Sequence, residues 1–234
     1  MKIGNKKLLI YIFIVIYLFT DVRLEIIKDE KDFINKLSSD VKVLVLDIEN
    51  EISISNDINI KNTFEKIVIT GNSVNTAKLK FLDLSHHLFF GNNIKEIELK
   101  NLSIKGNLHF QENTKVDIQS VSLHGYIDSN FSLNNGYINF SNFTYETSSV
   151  EVYNCINLEG NVNIDNSKFL GSCSSCHNRL INFNGKNKYT LKIKDSFFNG
   201  DYRCPFLNIN NGKNVDINNS TFEKAFSPVI IEGG

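Results

Sequence analysis

The sequence has no tryptophan, two prolines, one methionine and no long block of like charges among its 234 residues. Its 25 basic and 26 acidic residues nearly cancel, giving a formal net charge of −1, so binding to nucleic acid through the phosphates is not expected. Hydrophobic residues make up 41% of the chain, which is enough for a packed core and argues against a disordered protein. Beyond residue 40 no apolar pattern with the helical period is longer than one turn, which argues against a helical bundle.

What the chain has instead is asparagine, with 34 copies. The asparagine side chain tolerates left-handed backbone and forms hydrogen bonds within its own turn, so it suits tight turns. Abundant asparagine with little proline therefore predicts a repetitive chain rich in β-strands and turns.

The first 22 residues resemble a secretory signal peptide. Lys2, Lys6 and Lys7 form a positively charged start, and an apolar run of 12 residues follows from Leu8 to Phe19. A membrane helix needs about 20 apolar residues, so this shorter run predicts cleavage and a secreted or cell-surface protein. An uncleaved anchor is the alternative, and it is the only membrane contact that the sequence indicates.

Two other counts agree with export. An even number of cysteines suits disulfides in an oxidising compartment, and the four are Cys155, Cys173, Cys176 and Cys204. Six Asn-x-Ser/Thr sequons are candidate glycosylation sites, at Asn101, Asn130, Asn139, Asn142, Asn218 and Asn219. An asparagine-rich chain produces several sequons by chance, so they only support the prediction of a secreted glycoprotein.

A short helix is predicted after the signal segment, over residues 29–37. Phe33, Ile34 and Leu37 would lie on one face of this helix. The acidic residues at its start suit a helix N-terminus.

From residue 41 onward the apolar pattern switches to the two-residue period of strands, and an imperfect repeat appears. Each copy has two alternating apolar residues, a polar residue two positions later, another apolar residue three positions further on and often a glycine after that. The six copies begin at Ile97, Val116, Ile138, Val162, Leu191 and Val215, at spacings of 19, 22, 24, 29 and 24 residues. A hairpin returns within about a dozen residues, whereas these spacings match one solenoid coil with two or three short strands.

Stacking the copies as parallel strands about 4.8 Å apart turns equivalent positions into columns. One column is a polar ladder at the bend of each coil, formed by Asn101, Ser120, Asn142, Asn166, Asp195 and Asn219. These side chains are expected to bond to the coils above and below. Another column is apolar and fills the interior, with Ile104, Leu123, Tyr145, Phe169, Phe198 and Phe222.

Later copies contain a second strand, at 179–185, 205–212 and 228–233. Together with the repeat, these segments resemble the pectin-lyase-like right-handed β-helix family, and in particular its secreted repeat proteins without assigned chemistry. The resemblance implies an all-β fold, a right-handed parallel β-helix, and says little about activity. We therefore divide the chain into a signal peptide at 1–22, an N-terminal helical cap at 23–40 and the β-helix at 41–234.

The competing fold is an antiparallel β-sandwich built on Asn-Gly turns, such as those at 184–185 and 211–212. Hairpins of that kind do not explain a polar column with six rows. The chain stops mid-pattern at Gly234, so we expect the β-helix to be truncated there, with further coils or another chain covering its edge.

The string Cys173-Ser-Ser-Cys176-His177 matches the pattern of covalent haem attachment, but the only methionine that could be a second axial ligand is the first residue. The string also falls in a loop between strands, without a helix N-terminus to activate a thiol for redox chemistry. A disulfide is the preferred interpretation, either Cys173–Cys176 or cross-coil pairs involving Cys155 and Cys204. Zinc binding with His177 is a weaker alternative, so no cofactor and no metal are predicted.

Sugar cleavage on this fold requires paired carboxylates, or an acidic Ca²⁺ site with a base. The chain has neither the Asp-Asp pair nor the Arg-Ile-Lys string of polygalacturonase-like members, and only the strings at 123–125 and 163–165 come near their other motifs. No catalytic residue can be carried over, and no enzymatic activity is predicted. For the alternative, a divergent polysaccharide lyase or glycoside hydrolase, the best acids are Asp165, Asp195 and Asp216.

A few other residues suggest binding. Arg179 and Arg203 precede matching strands and could line a groove for an acidic glycan, although solvated coil edges explain them as well. His86-His87 indicates a turn or a surface pair. Tyrosines that face outward could stack on sugars, and the candidates are Tyr126, Tyr137, Tyr145 and Tyr153, of which Tyr145 falls in the apolar column. The sequence thus predicts a non-catalytic extracellular module with a structural, adhesive or glycan-binding role, whose partner is a polysaccharide or a cell-surface glycan.

Overall fold

The computed structural model describes residues 22–112, 115–131, 136–147, 152–171, 176–200, 206–225 and 229–232. In this part of the chain the strands form three sheets, and every strand pairing is parallel. The protein is a right-handed parallel β-helix, and its described part contains one short helix. The fold predicted from the repeat is confirmed, and the antiparallel β-sandwich is wrong.

Each full coil contributes one strand to each sheet, and sheet A has one further strand at its N-terminal edge. Sheet A contains β1 (Val22–Ile27), β2 (Val43–Ile48), β5 (Phe64–Gly71), β8 (Ile94–Lys100), β11 (Lys115–Gln119), β14 (Tyr137–Ser141), β17 (Asn161–Asp165), β20 (Thr190–Lys194) and β23 (Asn214–Asn218). Sheet B contains β3 (Glu51–Ile54), β6 (Lys78–Phe81), β9 (Ser103–Lys105), β12 (Ser122–His124), β15 (Thr144–Glu146), β18 (Lys168–Leu170), β21 (Phe197–Asn199) and β24 (Thr221–Glu223). Sheet C contains β4 (Ile58–Ile60), β7 (His87–Phe90), β10 (Asn107–Gln111), β13 (Ile127–Asn130), β16 (Val152–Glu159), β19 (Cys176–Asn184), β22 (Leu207–Asn210) and β25 (Val229–Glu232).

One coil runs through sheets A, B and C in turn, as β11, β12 and β13 show. The repeat motif therefore spans two strands. Its alternating apolar pair lies in sheet A, its polar residue forms the bend, and its next apolar residue lies in sheet B. The second strand seen in later copies belongs to sheet C.

The core is the space enclosed by the three sheets. Inward side chains alternate with outward ones along each strand, as in β11, where Val116 and Ile118 are buried. The apolar column is confirmed by the strand register, which pairs its members from coil to coil. Within it the ring of Phe198 is stacked between Phe169 and Phe222, at centroid distances of 4.9 and 4.6 Å.

The glycine that ends several copies of the repeat has a steric reason. Gly106 has φ 146°, and a Cβ added there would lie 2.3 Å from the Phe81 ring. A Cβ at Gly125 would lie 1.8 Å from the Gly106 carbonyl oxygen. Only glycine allows successive backbones to approach so closely at this corner between sheets B and C.

The helix α1 spans Glu30–Leu37. Asp29 is its N-cap residue, and the Asp29 carboxylate accepts a hydrogen bond from the Asp32 amide. Phe33 and Leu37 are buried at the end of the core, but Ile34 is 44% exposed, so the prediction that Ile34 shares the buried face is wrong. β1 precedes the helix and pairs with β2, which the sequence did not indicate. Nearly all of the predicted signal segment lies outside the described residues, and within the described part no helix is long and apolar enough to cross a membrane.

The coil formed by β23, β24 and β25 has core-facing residues that are more exposed than their counterparts in earlier coils. Val215 pairs with the buried Leu191 but is 36% exposed, and Ile231 pairs with the buried Ile209 but is 65% exposed. These apolar side chains form the upper surface of the described stack.

Candidate functional site

The polar ladder lies where each sheet A strand ends. Its six members all have left-handed backbone, with φ between 44° and 54° at Asn101, Ser120, Asn142, Asn166, Asp195 and Asn219. Asparagine and aspartate adopt this conformation more readily than other residues with a Cβ, because their short polar side chains bond locally. The turn from sheet A to sheet B is thus encoded in the same polar position of each copy.

Hydrogen bonds join the ladder from coil to coil. Asn142 Nδ2 donates to Ser120 Oγ at 3.1 Å, and Asn166 Nδ2 donates to Asn142 Oδ1 at 3.4 Å. Asn219 donates to the Asp195 carboxylate, which lowers the pKa of Asp195 with further help from Lys194. These bonds link successive coils within the ladder and help to hold them in register.

A different group of side chains forms the most distinctive surface of the molecule, on the outer face of sheet C. We call this group the ring cluster, and it comprises Asp57, His87, Phe89, His109, Tyr126 and Asp128. The His109 ring is central, with its centroid 4.9 Å from that of His87, 6.2 Å from that of Phe89 and 5.2 Å from that of Tyr126. Three successive coils contribute rings, because β7 and β10 pair directly and Tyr126 immediately precedes β13.

Two carboxylates flank the rings. Asp57 Oδ1 accepts a hydrogen bond from the His87 amide at 2.9 Å and lies 3.1 Å from His87 Nδ1. Asp128 Oδ2 lies 3.7 Å from His109 Nδ1, and the other nitrogen of that ring, Nε2, lies 3.0 Å from the Tyr126 hydroxyl. The side chains of Asp57 and Asp128 are 42% and 47% exposed, so both carboxylates are open to a ligand.

Asn107 holds the backbone that carries the ring cluster. This side chain is fully buried, and its Nδ2 donates to the carbonyls of Leu84 and His86 at 2.8 and 2.9 Å. Its Oδ1 accepts from the Tyr126 amide at 3.0 Å. One buried amide therefore fixes the backbone on both sides of the cluster.

The electrostatics of the ring cluster favour the neutral forms of the His87 imidazole and the Tyr126 phenol. Burial lowers the pKa of His87, and the neighbouring His109 and His86 lower it further against the opposing effect of Asp57. Burial raises the pKa of Tyr126, and Asp128 and Asp57 add to this effect. Both carboxylates therefore act on the same phenol, although they come from different coils.

Beyond the ring cluster, the same face of sheet C continues as a column of amides. Strand register places His109, Asp128, Asn157, Asn182 and Asn208 at equivalent outward positions of successive coils. We call the last three the amide column.

The bonding within the amide column leaves donors on its surface. Asn157 Oδ1 accepts from Asn154 at 3.0 Å and from Asn182 at 3.5 Å. Asn182 Oδ1 accepts from Asn208 at 3.0 Å and from Asn210 at 3.1 Å. An amide oxygen accepts two hydrogen bonds, so these two oxygens are satisfied while N–H groups of Asn157 and Asn182 remain for an external acceptor.

The acids proposed for cleavage do not form a comparable group. Asp165 and Asp216 lie on sheet A, whereas Asp195 lies at the bend and bonds to the ladder. Asp216 accepts a hydrogen bond from Asn218. Among the described residues, no set of three or more His, Cys, Asp and Glu side chains is placed to hold a metal ion.

The cysteines are partly described. Cys155 in β16 and Cys176 in β19 form a disulfide between adjacent coils, with their Cα atoms 5.4 Å apart. This finding excludes the Cys173–Cys176 pairing and leaves Cys176 without a free thiol for a haem thioether. Cys173, Cys204 and the side chain of His177 lie outside the described part.

The sequons differ in their surroundings. Asn101 and Asn130 are exposed, and the Asn101 side chain has no hydrogen-bond partner among the described residues. Asn139 is half-buried and donates to Asp117 Oδ1 at 2.7 Å. The amides of Asn142, Asn218 and Asn219 donate to other side chains, as the ladder and the Asp216 contact show.

The remaining sequence candidates divide between surface and core. Tyr126 and Tyr137 are half-buried on outer faces, whereas Tyr145 is buried and donates to the Gly125 carbonyl at 2.7 Å. Arg179 is half-buried in β19, while Arg203 and the side chain of Tyr153 lie outside the described part. His86 and His87 had been predicted as a turn or surface pair, and His87 belongs to the ring cluster.

Sequence reasoning missed Asp57, Phe89, His109 and Asp128 as site residues. They come from four strands or loops and follow no shared motif. The one signal for this site was the spacing of the early coils, which would have placed Phe89 and His109 at equivalent outward positions. The repeat is weakest in these coils, so the spacing was not recognised.

Searches with this chain against protein-family models, curated proteins and solved structures gave no match. The fold therefore defines the class of protein, a parallel β-helix, and the site has to be interpreted from its own geometry.

Proposed function

We propose that this chain is a secreted or cell-surface β-helix module that binds glycans along the outer face of sheet C and does not cleave them. We also propose that the chain is related to the secreted repeat proteins of the pectin-lyase-like class. The observation that carries it is the continuous track of half-buried rings and amide donors on one face. Sugar rings present C–H faces to aromatic rings and oxygen acceptors to N–H groups, so both halves of the track match a carbohydrate.

Several features support a location outside the cell. The predicted signal peptide, the sequons and the Cys155–Cys176 disulfide are all compatible with the secretory pathway. The half-buried amides of Asn157 and Asn182 also suit hydrogen bonding to the hydroxyl oxygens of a glycan.

A divergent polysaccharide lyase or glycoside hydrolase is the second candidate, and one chain of contacts favours it. His109 lies between Asp128 and the Tyr126 hydroxyl, an arrangement that could relay a proton. However, the raised pKa of Tyr126 keeps its phenol protonated and makes it a poor base. Binding without cleavage is therefore the better-supported function.

The test combines binding and turnover. Purified residues 23–234 are titrated with soluble oligosaccharides and incubated with pectic and other polysaccharides, with and without Ca²⁺. We expect saturable binding, no new reducing ends and no unsaturated-uronate absorbance. The Asn157→Ala/Asn182→Ala variant should bind about tenfold more weakly, as expected for the loss of two hydrogen bonds, whereas the sheet A control Asn163→Ala/Asn214→Ala should bind normally. Turnover abolished by His109→Ala would instead establish the lyase or hydrolase.

A further inference from the structure

The ring cluster contains two carboxylates, Asp57 and Asp128, whose charge is not needed for binding a neutral glycan. Among the described residues neither Asp57 nor Asp128 has a lysine or arginine within 4.0 Å. Their nearest titratable partners are His87 and His109, and burial lowers the pKa of His87. Some carboxylates elsewhere on the protein are paired, as Glu98 is with Lys66 and Lys100.

The two carboxylates also lie beside aromatic faces. His109 and Tyr126 are perpendicular, with an interplanar angle of 88°, and Phe89 is tilted against His109 on the neighbouring coil. Aromatic faces attract cations through their quadrupole, and the attraction is largest where a nearby anion shares the site. A ligand that fits this set needs an apolar ring face and a positive charge at its edge.

We propose that the ring cluster is a subsite for a cationic amino sugar, a hexosamine with a free ammonium group within a glycan bound along sheet C. This inference rests on the proposed function, because the amide column would hold the adjoining sugars. The C–H face of the hexosamine stacks on Tyr126 or Phe89, and its ammonium group pairs with one of the two carboxylates, Asp57 before β4 or Asp128 in β13. A lysine side chain offers the same charge without the flat ring or the hydroxyl groups, and it suits the amide column less well.

The experiment compares a β-1,4-linked glucosamine oligomer with its fully N-acetylated counterpart by isothermal titration. The pH is slightly acidic, so that the amines are protonated. We expect the free amine to bind about tenfold more tightly, the ratio that one charge-assisted hydrogen bond to a carboxylate provides. The preference should shrink as salt is added, because the carboxylates are exposed.

Two double variants with the same change in net charge make the test specific. Asp57→Asn/Asp128→Asn keeps the acceptor for the His87 amide, and it should bind both oligomers equally while its affinity for the acetylated one is unchanged. The control Asp165→Asn/Asp216→Asn, on sheet A, should keep the tenfold preference.

Four results would overturn the inference. Equal binding of both oligomers by the wild type removes the ammonium subsite and leaves the glycan-binding function standing. Loss of the preference in the sheet A control as well assigns it to overall charge. Binding of neither oligomer, nor of any neutral glycan, removes the proposed function itself. A lysine oligomer that binds as tightly as the amino sugar would show that the sugar ring is not recognised.

Discussion

At the scale of single residues, the fold depends on positions where only a few side chains fit. The polar ladder requires left-handed backbone in every coil, and Asn142 both adopts it and bonds to the coils on either side. The sequence revealed this position because the same kind of side chain recurs six times. It did not reveal the ring cluster, since His109 and Asp57 belong to no repeated pattern.

Replacing Asn142 with alanine should lower the free energy of unfolding by about 2 kcal/mol, because alanine lacks the polar side chain that eases the left-handed backbone and the ladder bonds are lost. Asn142→Gly removes only the bonds and should lower it by about 1 kcal/mol. Urea unfolding measures both. The control is Asn163→Ala, an exposed position on a sheet A strand. If Asn142→Ala were no less stable than this control, the ladder would not be structural.

Tyr145 should make stability fall at high pH. Burial raises its pKa in the folded state, so the folded protein retains a proton that an unfolded tyrosine loses near pH 10. Stability from this group is present below about pH 10 and decreases by about 1.4 kcal/mol per unit above it. Tyr145→Phe cannot ionise. Its deficit relative to the wild type at pH 8 should therefore shrink by pH 11, and a deficit that stays constant would contradict the assignment.

At the scale of elements, short strands and nonlocal pairing limited what the sequence could show. Sheet B strands such as Ser122–His124 have three residues, too few to display a period, so they were merged with the sheet A strands in one motif. β1 was missed because its outward residues Val22, Leu24 and Ile26 are apolar and exposed, and its pairing with β2 spans the helix. In that helix Ile34 fits the apolar pattern, but its side chain lies beyond the end of the core and is exposed.

The disulfide is the covalent link between two elements, β16 and β19. Its cysteines are 21 residues apart, so breaking it in Cys155→Ala/Cys176→Ala should lower stability by about 3 kcal/mol through the entropy of the unfolded chain. Mass spectrometry of a non-reduced digest should find a peptide pair linking Cys155 to Cys176. A linkage of Cys173 to Cys176 in that digest would show that the coils are not joined here.

At the scale of the whole molecule, the protein is a stack of coils in which each contacts mainly its neighbours. Length, composition and the six repeats were sufficient to predict this architecture, because parallel stacking turns a sequence period directly into columns. The binding face was not predictable in the same way. It arises where the outward residues of successive coils differ, so only the register between coils shows which of them meet.

If the coils are equivalent units, one of them can be removed. Deleting residues 116–137 takes out one full coil and joins Lys115 to Ile138, so that Ile138 takes the position of Val116 opposite Ile97. Deleting residues 116–126 removes about half as much but shifts every later column.

The thermal unfolding of these two variants, followed by circular dichroism, tests the account most directly. We predict a cooperative unfolding transition for the full-coil deletion, with a midpoint temperature some degrees below that of the wild type. For the half-coil deletion we predict no cooperative transition. The parallel β-helix would be contradicted if the full-coil variant failed to fold. It would also be contradicted if the half-coil variant folded as well as the full-coil variant.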